Sequence, residues 1–520
     1  MLVQTSRRSF VAGIAATAAA GTLLPVATIA RDSGGTSEEL AYRTAGDLVK
    51  ALADRQVSSR ELVDDAISRI EALDPKINAV VVRDFDRARA AADAADAALA
   101  RGERRPLLGL PMTVKEQFGI AGLPTTWGNP NFKHWNAEVD ALVVQRIKAA
   151  GAIVLGKTNV PLNLTDWQSF NEVYGTTNNP WDLARTPGGS SGGGTAALAA
   201  GLVPLEFGSD IGGSLRAPAH FCGVFSHKPS LDLVPLRGAG PPQTPAVPVR
   251  GDLAVIGPMA RSAADLALAL AVVAGPDEMT EGIGYKLTLP PPRHERLADY
   301  RLLVIDRHPL CPTADSVTGA LNRLAERLGQ AGCEVMRESA KLPDLALTTR
   351  NYAQLLLAFF SAELPLEPEQ IEAAVQALPA GDQSLAAARL RGLGLSHTDW
   401  IRASRLRGGL RARWLALFQD VDVVLCPPMP TAAFPHDYWP QNQRQIDVDG
   451  KKIPYDDQIA WAGVATLNGL PATTMPIGRS DEGLPIGVQI IGGFLEDHTT
   501  IAFAGLIERE FGGFTPPPNL

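Results

Sequence analysis

The stretch Val139-Asp140-Ala141-Leu142-Val143-Val144-Gln145-Arg146-Ile147-Lys148-Ala149-Ala150-Gly151-Ala152-Ile153-Val154-Leu155-Gly156-Lys157-Thr158 changes periodicity midway. Residues 139–150 read as an amphipathic helix that ends at Gly151, and residues 152–155 follow as a fully apolar, buried strand. This alternation of helix and strand is the α/β signature. It extends in both directions. Upstream, Ser58-Ser59-Arg60-Glu61 forms a capping box ahead of Leu62, Ala66, Ile67 and Ile70 at helical spacing, with Asp74-Pro75 as the stop. A strand is predicted over 77–82 and an alanine-rich helix over 86–101. Downstream, strands are predicted over 202–207, 302–305, 421–425, 472–476 and 486–491, and helices over 262–273, 314–331, 368–377, 397–418, 458–467 and 499–509. The pattern predicts a single large α/β domain. Its twisted central sheet, mostly parallel or mixed, is covered by helices on both faces, and its active site lies at strand ends near the sheet centre.

The opening stretch also matches GxxxxGK[ST] formally at 151–158. A phosphate-cradling loop, however, needs its variable residues to follow the strand, and here they are the strand, which argues against nucleotide binding. The 520 residues are 45% hydrophobic and 20% charged, an ordinary globular composition. Thr5-Ser6-Arg7-Arg8-Ser9-Phe10-Val11 is a twin-arginine pattern. An uncharged stretch runs from Val11 to Ala30 and ends in the small-residue site Thr28-Ile29-Ala30, so residues 1–30 read as an export signal and not a retained anchor. Loss of Arg7 and Arg8 takes the net charge from −8 to −10. That balance argues against nucleic acid as a partner. Cys222, Cys311, Cys333 and Cys426 lack CxxC spacing, and their apolar contexts favour buried thiols.

Two glycine-serine clusters lie close together, Pro187-Gly188-Gly189-Ser190-Ser191-Gly192-Gly193 and Gly208-Ser209-Asp210-Ile211-Gly212-Gly213-Ser214-Leu215-Arg216. Well upstream, the apolar run 107–114 carries Lys115 into the interior at the end of a strand. A serine hydroxyl needs a base, and a lysine serves only when burial makes its amine neutral. The glycines before Ser214 permit the turn in which successive N–H groups converge on an anion. Ile211, Gly212, Gly213 and Ser214 are therefore the candidate oxyanion donors, with Ser191 beside them in the substrate-binding set, and Ser214 is the candidate nucleophile. Ser190, at the start of an alanine-rich helix, can both donate and accept a proton and so relay it between Ser214 and Lys115.

On these residues the chain resembles the amidase signature hydrolases, from about Ser58 onward and most densely between Lys115 and Arg261. The resemblance implies a Ser-Ser-Lys triad of Ser214, Ser190 and Lys115, an oxyanion hole from the 211–214 amides, a small-molecule amide substrate, and neither cofactor nor metal. The implied division is a signal over 1–30, a linker or arm over 31–57 and the amidase domain over 58–520. Within that domain the signature core spans about 107–275, and a variable, specificity-bearing segment spans about 286–438. Two departures stand out. Glu116-Gln117 replaces the Asp-Asn that follows the lysine in many members, and Lys228-Pro229-Ser230-Leu231-Asp232-Leu233-Val234-Pro235-Leu236 lacks the tyrosine-glycine sequence of the tRNA-dependent amidotransferases. A free-standing amidase is thus favoured over a component of a larger complex. Homodimerisation stays open.

Competing motifs weigh less. Gly188-Gly189-Ser190-Ser191-Gly192 fits GxSxG, which would make Ser190 the nucleophile of a Ser-His-Asp esterase, but a loop-like stretch precedes it where the elbow needs a strand. His220, Cys222 and His227 match no metal spacing and read as packing. Asp210 and Arg216 read as an internal ion pair holding the loop. Trp127, Phe221 and Trp461 read as core.

Overall fold

The computed structural model describes residues 40–362 and 367–518, and these belong to one compact unit. The export-signal reading of 1–30 falls outside the described residues. Fifteen strands are present among them: β1 (Val80–Arg83), β2 (Pro111–Lys115), β3 (Ile153–Thr158), β4 (Phe170–Asn171), β5 (Gly175–Thr176), β6 (Leu205–Asp210), β7 (Phe225–Lys228), β8 (Val255–Ala260), β9 (Arg301–Val304), β10 (Glu334–Met336), β11 (Val423–Cys426), β12 (Gln445–Val448), β13 (Lys451–Pro454), β14 (Ala472–Arg479) and β15 (Pro485–Ile491). Eleven build one sheet in the order β1-β3-β2-β6-β8-β7-β14-β15-β11-β9-β10, and β4-β5 and β12-β13 are separate pairs.

The sheet is mixed. Pairs β2-β3, β2-β6, β9-β10 and β9-β11 are parallel, while every pairing from β6 through β8, β7, β14 and β15 to β11 is antiparallel. Of the two sheet types allowed by the sequence, the mixed one is therefore realised. The physical reason is visible at β14 and β15, whose link is too short for the helical crossover that a parallel pair needs. Both faces are covered. Along β11, Val423 and Leu425 enter one buried apolar cluster while Val424 and Cys426 enter the other, the alternation of a strand buried on both sides.

Helix Ser59–Ile77 begins with the expected capping box at Ser58 and Glu61. It does not stop at Asp74-Pro75. Pro75 sits in the last turn, where it removes a single hydrogen bond, and the helix ends at Asn78 in the left-handed conformation with φ 58°. The buried Asp74 carboxylate then accepts from the N–H groups of Ala79 and Val80 and turns the chain into β1. Part of the linker or arm expected over 31–57 is helical. Helix Ala45–Ala53 buries Ala45, Leu48, Ala51 and Leu52 in the main core, and Asp265 caps it by accepting from Ala45 N and Gly46 N, both at 2.9 Å. All four cysteines are buried free thiols.

The sheet register sets up the site. Thr113 lies opposite Glu206 and Lys115 opposite Thr158, so Thr113, Lys115, Thr158 and Glu206 share one face of β2, β3 and β6. Helix Gly192–Ala199 crosses that face so closely that a Cβ on Gly194 would stand 2.6 Å from Glu206 Cγ. Its glycines permit this contact.

Candidate active site

Lys115 ends β2 with no exposed surface. Its Nζ donates to Ser190 Oγ at 2.7 Å and to Ser209 Oγ at 2.9 Å. Burial pushes the amine down to about 7, with the carboxylates of Asp210 and Glu206 pulling the other way. Glu206 itself is pushed up to about 8 by burial and accepts from the hydroxyls of Thr113 and Thr158. Burial therefore shifts both groups toward their uncharged forms.

Gln117, one of the two departures after the lysine, supports the amine through Ser209: the Ser209 hydroxyl donates to Gln117 Oε1 at 2.5 Å while Gln117 Nε2 donates to Ala239 O. Glu116 turns away. Its carboxylate accepts from Thr126 N, Trp127 N and the Tyr174 hydroxyl, fixing the loop after β2.

Ser190 lies in the loop before helix Gly192–Ala199, after a cis Gly189–Ser190 peptide. The position capping this helix is Ser191 and not Ser190, and its hydroxyl makes no cap bond. Instead Ser169 Oγ accepts from Gly192 N, which leaves the Ser190 hydroxyl for Lys115. Ser191 N donates to Ser214 O at 3.2 Å and so ties the two clusters together. Ser214 is 6% exposed and begins the turn into helix Arg216–Cys222.

Every carbonyl from 211 to 214 is taken. Ile211 O accepts from the Tyr352 hydroxyl at 2.5 Å, Gly212 O from Trp167 Nε1 at 2.9 Å, Gly213 O from Ala217 N at 2.7 Å, and Ser214 O from Ser191 N. The four amides do not share one role. Gly213 N donates to Asp210 Oδ1 at 3.0 Å, which corrects its expected place among the anion donors. Its φ of +93° is the backbone state that aims the N–H back at Asp210. The N–H groups of Ile211, Gly212 and Ser214 meet no protein acceptor among the described residues. A loop with occupied carbonyls and open N–H groups has the chemistry to receive an anion.

Asp210 and Arg216 form the expected ion pair, fully buried, with Nη2 to Oδ1 at 2.8 Å and Nε to Oδ2 at 3.0 Å. Arg216 also donates to Ala462 O, Gln489 Oε1 and Thr466 Oγ1, and Asp210 accepts from Leu215 N. With its hydrogen bonds filled, the pair fixes the loop on both sides. Severing such a buried pair costs about 3–5 kcal/mol.

The histidines serve structure. His220 accepts from Gly487 N and bonds Thr431 O, with burial lowering its ring to about 4; His227 lies between Thr473 and Asp497. Among the described residues no histidine bonds Ser190, so the esterase arrangement lacks its base. Trp461 and Phe221 are core, and Trp127 is half-buried with its Nε1 on Gln117 O. The P-loop-like Lys157 lies within β3.

A cavity of about 240 Å³ opens beside Ser214, Ile211 and Gly212. Leu356, Leu357 and Phe360 from helix Leu345–Phe360 form part of its wall. The segment 286–438 thus reaches the site directly, through this wall and through Tyr352.

The sequence model of the family described as Amidase matches residues 61–501. The chain belongs to the amidase family. A glutamyl-tRNA(Gln) amidotransferase subunit of Anaeromyxobacter sp. (strain K) is 34% identical over 512 residues, 92% of this chain and 98% of that one. Fatty-acid amide hydrolase 2 of Homo sapiens is 32% identical over 505 residues, 92% and 91% of the two chains. Among solved structures, the corresponding amidotransferase subunit of Thermotoga maritima superposes with a TM-score of 0.72 at 25% identity, over 92% of this chain and 98% of that one. A bacterial aryl acylamidase of the amidase signature family shares the fold, with a TM-score of 0.75 at 23% identity over 91% and 97%. This amidase is an amide-hydrolysing enzyme by family.

Proposed function

We propose that this amidase hydrolyses carboxylic amides through an acyl-enzyme on Ser214. Ser190 relays the proton and Lys115 is the base. The observation that carries the reading is the buried Lys115 amine, 2.7 Å from the Ser190 hydroxyl. A neutral amine accepts the proton of Ser190 as Ser190 accepts that of Ser214, whose oxygen attacks the amide carbon. The N–H groups of Ile211, Gly212 and Ser214 hold the oxyanion; each such donor is typically worth about 10²–10³ in rate. The proton returns through Ser190 to the leaving amine, and water releases the acid by the same relay run for its own proton. Ser191 acts by positioning Ser214 through its backbone.

A fluorophosphonate probe tests this reading. It should label the protein, fail on Ser214→Ala, and label Ser190→Ala much more slowly; full labelling of Ser214→Ala would overturn it. The likeness to the glutamyl-tRNA(Gln) amidotransferases favours one second reading, in which glutamine is the amide and a partner protein is required. Glutaminase activity restricted to a partner complex would support it, whereas turnover of simple amides by the purified chain supports the free-standing enzyme. We also propose export, from the twin-arginine sequence at Arg7 and Arg8. Cell fractionation of the full chain against an Arg7→Lys, Arg8→Lys variant reads it out directly.

A further inference from the structure

The cavity beside Ser214 has an apolar stretch and an open polar set. Helix Leu345–Phe360 holds Ile211 O through the Tyr352 hydroxyl and lines the cavity with Leu356, Leu357 and Phe360. At about 1.5 Å per residue, Phe360 stands about 12 Å along the helix from Tyr352. The same cavity is lined by Arg389, Asp456 and Gln441.

Arg389 has only 16% of its side chain exposed and donates one N–H to Asp457 Oδ1 at 3.1 Å. Its other guanidinium N–H groups have no acceptor among the described residues. Asp456 accepts from Gln441 Nε2 through Oδ1 at 2.9 Å, and its Oδ2 has no donor among the described residues. Charge narrows the choice of ligand. Arg389 is offset by Asp457, and Asp166, also on the wall, by Arg444. Asp456 remains, so a carboxylate would enter a site of net negative charge, while an ammonium group would pair with Asp456 but leave the open Arg389 N–H groups without an acceptor. A neutral group with one donor and one acceptor satisfies both.

We infer that the cavity takes an acyl chain with an apolar body against Leu356, Leu357 and Phe360 and a distal carboxamide or peptide unit, whose carbonyl accepts from Arg389 and whose N–H donates to Asp456. This rests on the acyl-enzyme reading of Ser214. The acyl portion is assigned to the cavity because it stays bound through deacylation, whereas the amine must leave before water arrives.

The test uses the full chain and four straight-chain amides of equal length that end in methyl, carboxylate, ammonium or carboxamide. Each is measured as a substrate and as a protectant of Ser214 against the fluorophosphonate. The carboxamide should protect best and show about tenfold higher kcat/KM than the methyl compound, the discrimination expected when unpaired polar groups reject an apolar analogue. Asp456→Ala and Arg389→Met should each bring that ratio toward one. Asp456→Ala spares the Arg389–Asp457 pair and so guards against a folding defect. Labelling at Ser214 without preference for the carboxamide overturns the inference alone, and absence of labelling overturns the acyl-enzyme reading and the inference with it.

Discussion

Lys115 and Lys157 stand on neighbouring parallel strands, each without exposed surface and each pushed below the ordinary lysine value by burial, to about 7 and about 8. Because Val114 is in register with Lys157, the two side chains leave opposite faces of the sheet. The difference lies in what receives each amine. Lys157 meets the carbonyl of Pro124 and the hydroxyl of Thr125. Lys115 meets two hydroxyls, Ser190 and Ser209, the first of them in the cluster tied to the nucleophile candidate. A hydroxyl can pass a proton on, and each amine meets at least one, but only that of Ser190 lies in a cluster tied to Ser214, whereas Thr125 has no such link among the described residues. Burial favours the uncharged form of an amine, the form able to accept a proton; its partners decide where that proton can come from.

The sharpest break in this comparison is substitution of each lysine in turn. Lys115→Ala should lower kcat/KM by about 10³-fold or more, as removal of a member of a catalytic unit does. Lys157→Met should leave kcat/KM per folded molecule within a few-fold but destabilise the protein by about 1–3 kcal/mol, because the Pro124 carbonyl loses its partner in the interior. Steady-state kinetics and urea unfolding on both variants check the contrast, and comparable kinetic loss from both would erase it.

The pH profile sharpens it further. The folded-state amine of Lys115 is lowered, so it is protonated below about 7 and cannot accept from Ser190. Activity should therefore rise with pH through about 7, with about a tenfold loss per unit on the acid side. Lys157→Met should keep that limb. Ser209→Ala takes away one of the two acceptors of Lys115 and the link to Gln117, and should cost about tenfold in kcat. The smallest effect belongs to Tyr352→Phe. Losing its bond to Ile211 O should lower kcat by a few-fold with KM for a short amide nearly unchanged, the value of about one hydrogen bond.

What can be read from the residues divides along the same line. That Lys115 meets Ser190 and that the two serine clusters adjoin is legible because small residues in a fixed order mark a backbone that must turn tightly. Helix and strand alternation is legible wherever apolar periodicity is strong, as over Asp315–Gln330. Strands β7 and β8 are not. Phe225–Lys228 is short and half polar, and Val255–Ala260 carries Pro258 and Gly257, which disfavour strand locally but are tolerated in tertiary context. Helix Leu345–Phe360 escapes the sequence reading in a region with thin family resemblance, and Tyr352 escapes with it. Trp167, Ser209 and Gln117 carry no sequence signal because their roles depend on partners distant in the chain. The Gly213 amide is misassigned from sequence because composition shows that glycines allow a turn without showing which way each N–H points.

The phenol that holds the Ile211 carbonyl comes from the same helix that walls the cavity beside Ser214. On the proposed acyl-enzyme reading, recognition and reactivity are therefore mechanically joined at one peg. A chimaera carrying another family member's 286–438 would exchange its diet and, unless the donor brings a hydroxyl to that spot, would also slacken the cradle for the developing negative charge.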